Sequence, residues 1–185
     1  MKILVLVTLA IASTFQLKFG KCSDPVVFSP FNPSSFVGSG KVVQRTKSVP
    51  WDTKDCPAAK YSPRPDGKTD AVNCQYSITK DKLESTNGIL TFTNGGQGTM
   101  KNSKWLSGDY RILKLSSYLT VYSCTSYFFG LLKNEYAWIM RPGTPTTTEK
   151  AGYLAELLSL VSTLSSSDIV EPVQSVQCKY AFTVA

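Results

Sequence analysis

The sequence predicts an all-β protein, built as a sandwich or a closed barrel, that ends in one α-helix. Eight short apolar or β-branched runs lie between about residues 40 and 140, separated by turn signals. After them the apolar pattern changes to a helical period. The 185 residues, 42% of them apolar and 18% charged, suit one globular domain with an ordinary core.

The N-terminus is typical of a secretory signal peptide. Lys2 precedes an apolar run, Ile3–Ala12, in which Thr8 is the only polar residue. This run is too short to cross a bilayer, which needs about 20 apolar residues, and no later segment is long enough either. We predict a signal peptide at 1–20, cut between 12 and 20, and one domain at 21–185. The mature protein is therefore expected to be soluble, secreted and exposed to disulfide-forming conditions.

Turn residues divide the central part of the chain into strands. Pro63–Gly67 and Asn94–Gly96 are the strongest turn signals. Leu90 and Phe92 alternate with threonines, a period of two that is typical of a half-buried strand. The predicted strands are, in chain order, Lys41–Thr46, Ala58–Ser62, Thr69–Thr79, Leu83–Thr93, Gly98–Trp105, Asp109–Leu115, Tyr118–Ser126 and Glu135–Met140.

A single amphipathic helix is predicted after the strands. Thr146–Glu149 supplies capping hydroxyls and an acidic residue for the first turn. Ser165–Asp168 marks the predicted end, and the tail Val173–Cys178 is expected to be tied down by its cysteine. A lone helix after such a meander must bury its apolar stripe against the outside of the barrel. That stripe consists of Leu154, Leu157, Leu158 and Val161.

The composition argues against several classes of function. The chain has no His, which excludes a Ser-His-Asp or Cys-His catalytic unit, a His-ligated zinc and a His proton shuttle. It has no Cys-x-x-Cys pair, so a metal site or a thioredoxin-type redox site is not expected. The formal net charge is +7, but no two Lys or Arg residues are adjacent. Such scattered cations indicate a solvated surface, and nucleic acid is not an expected partner.

Five short segments carry a resemblance to a known family. They are Gly20–Cys22, Cys56 with Tyr61, Val121–Thr125, Tyr136–Met140 and Val176–Cys178. In these segments the chain resembles a lipocalin of the apolipoprotein D group, which includes insect bilin-binding proteins and crustacyanin-type carotenoid carriers. The resemblance implies an eight-stranded antiparallel up-and-down barrel with one C-terminal α-helix packed on its outside. The interior of such a barrel can hold one small ligand.

The resemblance also implies how the five cysteines are used. Cys22 would pair with Cys124, and Cys56 with Cys178, so that both ends of the mature chain are joined to the barrel. Cys74 is predicted to remain a thiol outside both bridges. We interpret it as an inert thiol, with an intermolecular disulfide or covalent ligand attachment as the alternatives.

The pocket residues follow from the resemblance and from strand alternation. The family pattern implies Asn73 and Trp138 as pocket residues. If Trp138 points into the barrel, Tyr136 does too, and Cys74 points out if Asn73 points in. Two further aromatics match pocket positions near the mouth. The predicted ligand-binding residues are Asn73, Tyr136 and Trp138, with Phe36 and Tyr61 as the two aromatics near the mouth.

The chain departs from the family pattern at the closed end of the barrel. Gly40 stands where the family has a Trp that plugs this end, and Arg45 takes the position of the family's cation. Arg141, which in the family packs over that Trp, comes one position early. The closed end is therefore expected to be looser than in the family, or sealed differently.

The predicted function is a secreted carrier that binds a small hydrophobic molecule non-covalently inside the barrel. No cofactor is required, and a lipid, a sterol, a carotenoid or a bilin could occupy the cavity. The alternatives are a subunit of an oligomeric pigment assembly, such as a homo-oligomer, or a protein-interaction module with contacts at 101–108 and at Tyr127–Gly130. An enzyme is not expected, because its one candidate nucleophile, Cys74, would lie outside the barrel.

Overall fold

The computed structural model describes residues 17–49, 54–102 and 108–184. The predicted apolar run of the signal peptide and most of the predicted contact loop at 101–108 lie outside these ranges. No helix in the described ranges is long and apolar enough to cross a membrane. The described strands are β1 (Lys18–Phe19), β2 (Gly38–Thr46), β3 (Ala58–Pro63), β4 (Thr69–Ser77), β5 (Lys82–Asn94), β6 (Gln97–Asn102), β7 (Gly108–Leu115), β8 (Leu119–Tyr127), β9 (Leu132–Arg141) and β10 (Ile169–Val170), and the α-helix is α1 (Thr147–Leu160).

Strands β2 to β9 form a closed antiparallel barrel. Each strand pairs with the next one in sequence, and β9 returns to pair with β2. The prediction of an eight-stranded up-and-down barrel is therefore confirmed, and the sandwich is excluded. All eight predicted strands overlap observed ones, although β2 and β9 begin earlier, at Gly38 and Leu132. The short strands β1 and β10, which the sequence did not predict, add to β9 and β2.

The two ends of the barrel differ. The turns after β3, β5 and β7 share one end with the start of β2 and the end of β9. The N-terminal segment crosses this end, where the Phe28 amide donates to the Ile112 carbonyl at 2.8 Å and a 3₁₀ turn follows at Pro33–Ser35. This is the closed end of the barrel. The opposite end, with the turns after β4 and β8, is the mouth.

Helix α1 begins where the sequence predicts and ends earlier. Thr146 and Glu149 form a capping box in which each side chain accepts a hydrogen bond from the other's backbone amide. The helix ends at Leu160, before the predicted Ser165–Asp168. The next residue, Val161, has a non-helical backbone with φ −124° and ψ 87°. The chain then turns back and buries Leu164 against the barrel. Packing against the barrel, rather than the serine cluster, therefore ends the helix.

The outer face of the barrel carries a second apolar cluster, against which α1 packs as predicted. Tyr153 and Leu157 are the buried residues of the helix. Of the predicted stripe, Leu157 and Val161 are buried and Leu158 packs against the cluster partly buried, but Leu154 does not join it. Tyr153 takes the central position because its ring packs on Tyr118, with the ring centroids 4.1 Å apart. Three of the four predicted stripe residues therefore lie on the face that packs on the barrel, and Tyr153 takes the place of Leu154.

Both disulfides implied by the resemblance are present. Cys22 is bonded to Cys124 and Cys56 to Cys178. Cys74 remains a thiol and is buried, although it lies on the outer face of β4. Burial, and after it the nearby Cys74, raises the pKa of Tyr180 in the C-terminal tail. The thiol is only 3% exposed, so neighbouring side chains cover it from outside the barrel.

A buried ion pair lies on the outer face of β9. The Lys133 ammonium and a Glu135 carboxylate oxygen are 2.7 Å apart, with side chains 4% and 0% exposed. The Tyr122 hydroxyl donates to the same carboxylate at 2.9 Å, and the Thr163 hydroxyl also donates to it. Burial and the charge of Glu135 raise the pKa of Tyr122. These hydrogen bonds compensate the desolvation of the carboxylate and join β8, β9 and the segment after α1.

Candidate ligand-binding cavity

Strand register decides which side chains face the inside of the barrel, because residues directly opposite each other share a face. Met140 belongs to the interior apolar cluster, so Trp138 and Tyr136 of the same strand also face inward. In the same way Ala71 places Asn73 on the inner face of β4. The interior cluster consists of Phe36, Val42, Ala59, Tyr61, Ala71, Leu90, Tyr110, Ile112, Leu119, Val121 and Met140.

Aromatic side chains fill the closed end and form the floor of the cavity. The hydroxyls of Tyr61 and Tyr110 are 2.7 Å apart, and the Tyr61 hydroxyl also contacts the sulfur of Met140 at 3.7 Å. Burial raises the pKa of Tyr61 to about 12, against the opposing effect of its hydrogen bond with Tyr110. Both hydroxyls thus stay neutral at physiological pH and satisfy each other inside an apolar layer.

Phe36 and Tyr61 lie at this closed end, so the prediction that they sit near the mouth is wrong. Their ring centroids are 4.6 Å apart, and Phe36 also packs on Phe31 and Phe92 at 5.5 and 5.9 Å. Phe31 belongs to the N-terminal segment that crosses this end. The prediction failed because the sequence does not show which end of the barrel that segment covers.

The closed end is sealed differently from the family pattern. A Cβ atom at Gly40 would lie only 3.1 Å from the backbone of Arg141, so the two strands leave no room there for a side chain without movement. Arg141 turns outward, where it donates to a Glu149 carboxylate oxygen at 2.6 Å and to the Tyr153 hydroxyl at 2.7 Å. The three phenylalanines of the floor fill the closed end, and Arg141 joins β9 to α1.

The wall above this floor is open to water. Asn73 faces inward and is nevertheless exposed, and Trp138 and Thr86 are only half-buried. Inward-facing residues can be exposed only if solvent enters the barrel through the mouth. Tyr136 stands beside Trp138, with ring centroids 6.0 Å apart, and burial raises the pKa of Tyr136 to about 12. Ala59, directly opposite Asn73, has a small side chain that leaves room at this level.

One inward-facing cation was not among the predicted site residues. A β-bulge between Val42 and Gln44 shifts the pairing of β2 with β9, so that Arg45 lies directly opposite Trp138. Strict alternation from Val42 would turn Arg45 outward, and no sequence motif marks the bulge. Thr86 and Ser123 were missed too, but their positions follow from register once their partners Asn73 and Tyr136 are known.

An exposed aromatic hairpin borders the mouth. Phe128 and Phe129 are 67% and 106% exposed, and both have the left-handed backbone that few residues other than glycine adopt, with φ 50° and 57°. Phe19 of β1, 89% exposed, pairs with Leu132 at the base of this hairpin. The aromatic run therefore forms an apolar patch on the surface and does not fold over the mouth as a lid.

A small cleft lies outside the barrel, between β2, the start of α1 and the C-terminal tail. Its volume of about 90 Å³ is well below the roughly 300–1,000 Å³ of most ligand pockets. No group of three or more His, Cys, Asp or Glu residues that could hold a metal occurs in the part of the chain that the structure describes. The barrel interior is therefore the better candidate for a binding site. The cleft is lined by Lys41, Val43, Gly143, Thr144, Pro145, Lys150, Pro172 and Gln174.

A closed eight-stranded antiparallel barrel, crossed at one end by the N-terminal segment and flanked by one C-terminal helix, is the lipocalin fold. Solved structures share it. Lobster apocrustacyanin A1 matches with a TM-score of 0.70 and 19% identity, covering 88% of this chain and 93% of that one. Insecticyanin from the tobacco hornworm Manduca sexta matches with a TM-score of 0.70 and 18% identity, covering 89% and 93%.

Sequence comparison points to the same group. The chain is 25% identical to apolipoprotein D of Macaca fascicularis over 170 residues, which covers 86% of this chain and 89% of that protein. No family profile matches the chain. The resemblance to the apolipoprotein D group of lipocalins, first indicated by five short segments, is thereby confirmed.

Proposed function

We propose that this protein is a secreted carrier that binds one small hydrophobic molecule non-covalently inside its barrel. The proposal is supported by the difference in packing between the floor and the wall of the barrel interior. The floor is filled by packed aromatic side chains, whereas inward-facing Asn73, Thr86 and Trp138 above it remain accessible to solvent. Water in such a cavity can be replaced by an apolar molecule that enters through the mouth.

The chemistry of the wall fits this role. Trp138 and Tyr136 offer large apolar surfaces, while the Asn73 amide can orient a polar group of the ligand. Burial of apolar area drives such binding, and the step needs no nucleophile or general base. The resemblance to apolipoprotein D supports a carrier over an enzyme, and Cys74 lies outside the barrel.

The proposal is tested on protein secreted by its host and never unfolded. Its absorption spectrum is recorded first, because a visible band that leaves on denaturation would identify a carotenoid or bilin ligand. The delipidated protein is then titrated with retinol, cholesterol and hexadecan-1-ol. We expect saturable binding of at least one probe at one site per chain. Failure of all three to bind, with no ligand in the native extract, would contradict the proposal.

A pair of matched variants localises the site. Trp138→Leu removes an aromatic ring from the inner wall, whereas Phe19→Leu removes one from the outer surface. We expect the first to weaken binding by about tenfold, in the range of a well-packed aromatic contact. The second should leave binding unchanged. Equal effects of the two variants would place the ligand outside the barrel.

A second candidate function, assembly with another copy of this chain, is favoured by the exposed hairpin. Contiguous apolar side chains at Phe19, Phe128, Phe129 and Leu131 form a patch of the kind found at protein interfaces. Sedimentation velocity tests this candidate. A dimer that dissociates in Phe129→Ser would support it, and a monomer at high protein concentration would rule it out.

A further inference from the structure

Three places in the sequence combine a glycine with a preceding Asn or Asp. They are Asp66–Gly67, Asn87–Gly88 and Asn94–Gly95. At such a pair the glycine nitrogen can attack the side-chain carbonyl carbon of the preceding residue, because glycine has no side chain to obstruct the approach. The product is a five-membered succinimide ring, and an Asn side chain releases ammonia as the ring forms. Local structure decides which pair reacts, since the two groups must be able to meet.

Two of the three pairs are held by hydrogen bonds. The Gly67 amide donates to the Arg64 carbonyl at 3.1 Å, and the Asp66 carboxylate accepts from the Arg64 side chain. Gly88 lies inside β5 and pairs with both neighbouring strands, β4 and β6. The Gly88 amide is therefore engaged in the ladder and does not attack the side chain before it.

The third pair, Asn94–Gly95, is not held in this way. Asn94 is the last residue of β5 and is exposed. Gly95 follows in the turn, with a left-handed φ of 52°. Among the described residues, the Asn94 side chain makes no hydrogen bond and the Gly95 amide donates none. Both reacting groups can therefore approach each other without first losing a hydrogen bond of their own.

The turn that contains this pair supports the closed end of the barrel. The Gly96 carbonyl accepts from the Ile112 amide at 2.8 Å, and the Ile112 carbonyl accepts from the Phe28 amide at 2.8 Å. A Cβ atom at Gly96 would lie 2.8 Å from the Ile112 oxygen and 3.3 Å from the Phe28 oxygen. The turn therefore packs on β7 and on the N-terminal segment with no space for additional backbone atoms.

We propose that Asn94 is a site of spontaneous deamidation and that its conversion to isoaspartate loosens the closed end. The Gly95 nitrogen forms a bond to the Asn94 Cγ and loses its proton, and the side-chain amide leaves as ammonia. Water then cleaves one of the two C–N bonds of the succinimide. Cleavage at the former backbone carbonyl leaves the chain running through the Asn94 side chain, which adds one methylene to the backbone and frees one carboxylate.

The added methylene must move the turn away from its neighbours. Gly96 then loses its contact with Ile112, and the Phe28 amide loses the support of the same strand. We expect this amide to exchange with solvent about five- to tenfold faster, the factor that corresponds to the loss of one hydrogen bond.

The first test locates the reaction by mass spectrometry of proteolytic peptides. Wild type, Asn94→Gln and the matched control Asn87→Gln are incubated at mildly alkaline pH without reductant. In the wild type and the control we expect the peptide with position 94 to gain one mass unit and to separate into two products, Asp and isoaspartate. Asn94→Gln should stay unmodified, because its ring would need six members.

Structural protection is tested on the reduced, denatured wild type. There Asn87 should react about as fast as Asn94, because the ladder that engages Gly88 is gone. If Asn94 does not react in the folded protein, or reacts no faster than Asn87, the assignment of the site is refuted.

The second test is hydrogen exchange at the Phe28 amide before and after incubation. Asn94→Asp is the matched control, because it adds the carboxylate without the methylene and should exchange as slowly as the fresh wild type. Incubated Asn94→Gln should do the same. Unchanged exchange in the isoaspartate form, or fast exchange in Asn94→Asp, would refute the loosening by a longer backbone. Neither measurement involves a ligand, so both are independent of the proposed carrier function.

Discussion

The buried ion pair of β9 provides the sharpest test of the packing described above. Glu135→Ala removes the carboxylate that neutralises Lys133 and accepts from Tyr122 and Thr163. The ammonium of Lys133, 4% exposed, would then be buried without its counter-charge. Breaking a buried pair in this way costs about 3–5 kcal/mol. This is a large share of the roughly 5–15 kcal/mol that stabilises most domains.

Removing both charges should cost less than removing one. In Lys133→Met combined with Glu135→Leu, no charge is left buried, and the remaining cost is that of the hydroxyls that lose their acceptor, about 1–3 kcal/mol. The double variant is therefore expected to be more stable than Glu135→Ala alone. This order is opposite to the one expected if the two substitutions acted independently.

The assay is urea unfolding at neutral pH without reductant, followed by fluorescence and far-UV circular dichroism. The control is Asp70→Ala, which breaks the surface contact with Arg64 and should cost less than about 1 kcal/mol. A Glu135→Ala variant within about 1 kcal/mol of the wild type would refute the reasoning, because it would mean that water reaches Lys133.

Three further predictions concern the floor, the helix and the acid limit of stability. Tyr61→Phe leaves the Tyr110 hydroxyl buried without its partner and should lower the unfolding free energy by about 1–3 kcal/mol, and adding Tyr110→Phe should recover part of the loss. Leu157→Ala opens a cavity between α1 and the barrel and should cost about 2–5 kcal/mol in urea unfolding, with ligand affinity unchanged. The backbone hydrogen bond from Thr146, above its other contacts, lowers the pKa of Glu149 from 4.5 to about 2. Because the pKa of Glu149 is lower in the folded protein, the ionised carboxylate stabilises the fold above pH 4.5, and this stabilisation is lost as the pH falls through about 2. The unfolding free energy of Glu149→Gln should therefore fall less steeply over this pH range than that of the wild type.

The strands could be predicted because local rules and the final fold agree along most of the barrel. The turn residues at Pro63–Gly67 and Asn94–Gly96 predict the ends of two strands, and the observed strands β3 and β5 end there. The disulfides were reached differently, through the resemblance to a family rather than through spacing. In the structure both implied pairs of cysteines are disulfide-bonded.

The candidate site was harder to predict because its orientation depends on non-local contacts. The bulge that turns Arg45 inward is a property of the pairing of β2 with β9, and neither strand shows it alone. The position of Phe36 depends on which end the N-terminal segment crosses. Tyr153 displaced Leu154 from the buried helical face because Tyr118 lies beneath it. In each case a distant partner decided where a side chain points.

The closure of β9 onto β2 also determines how this chain must fold. Val42 of the first barrel strand pairs with Met140 of the last, and such non-local pairing is typical of proteins that fold in milliseconds to seconds. Until that seam forms, both strands present open hydrogen-bonding edges to other chains. Substitutions that slow closure should therefore lower the yield of folded protein through aggregation, even where the finished barrel is as stable as before.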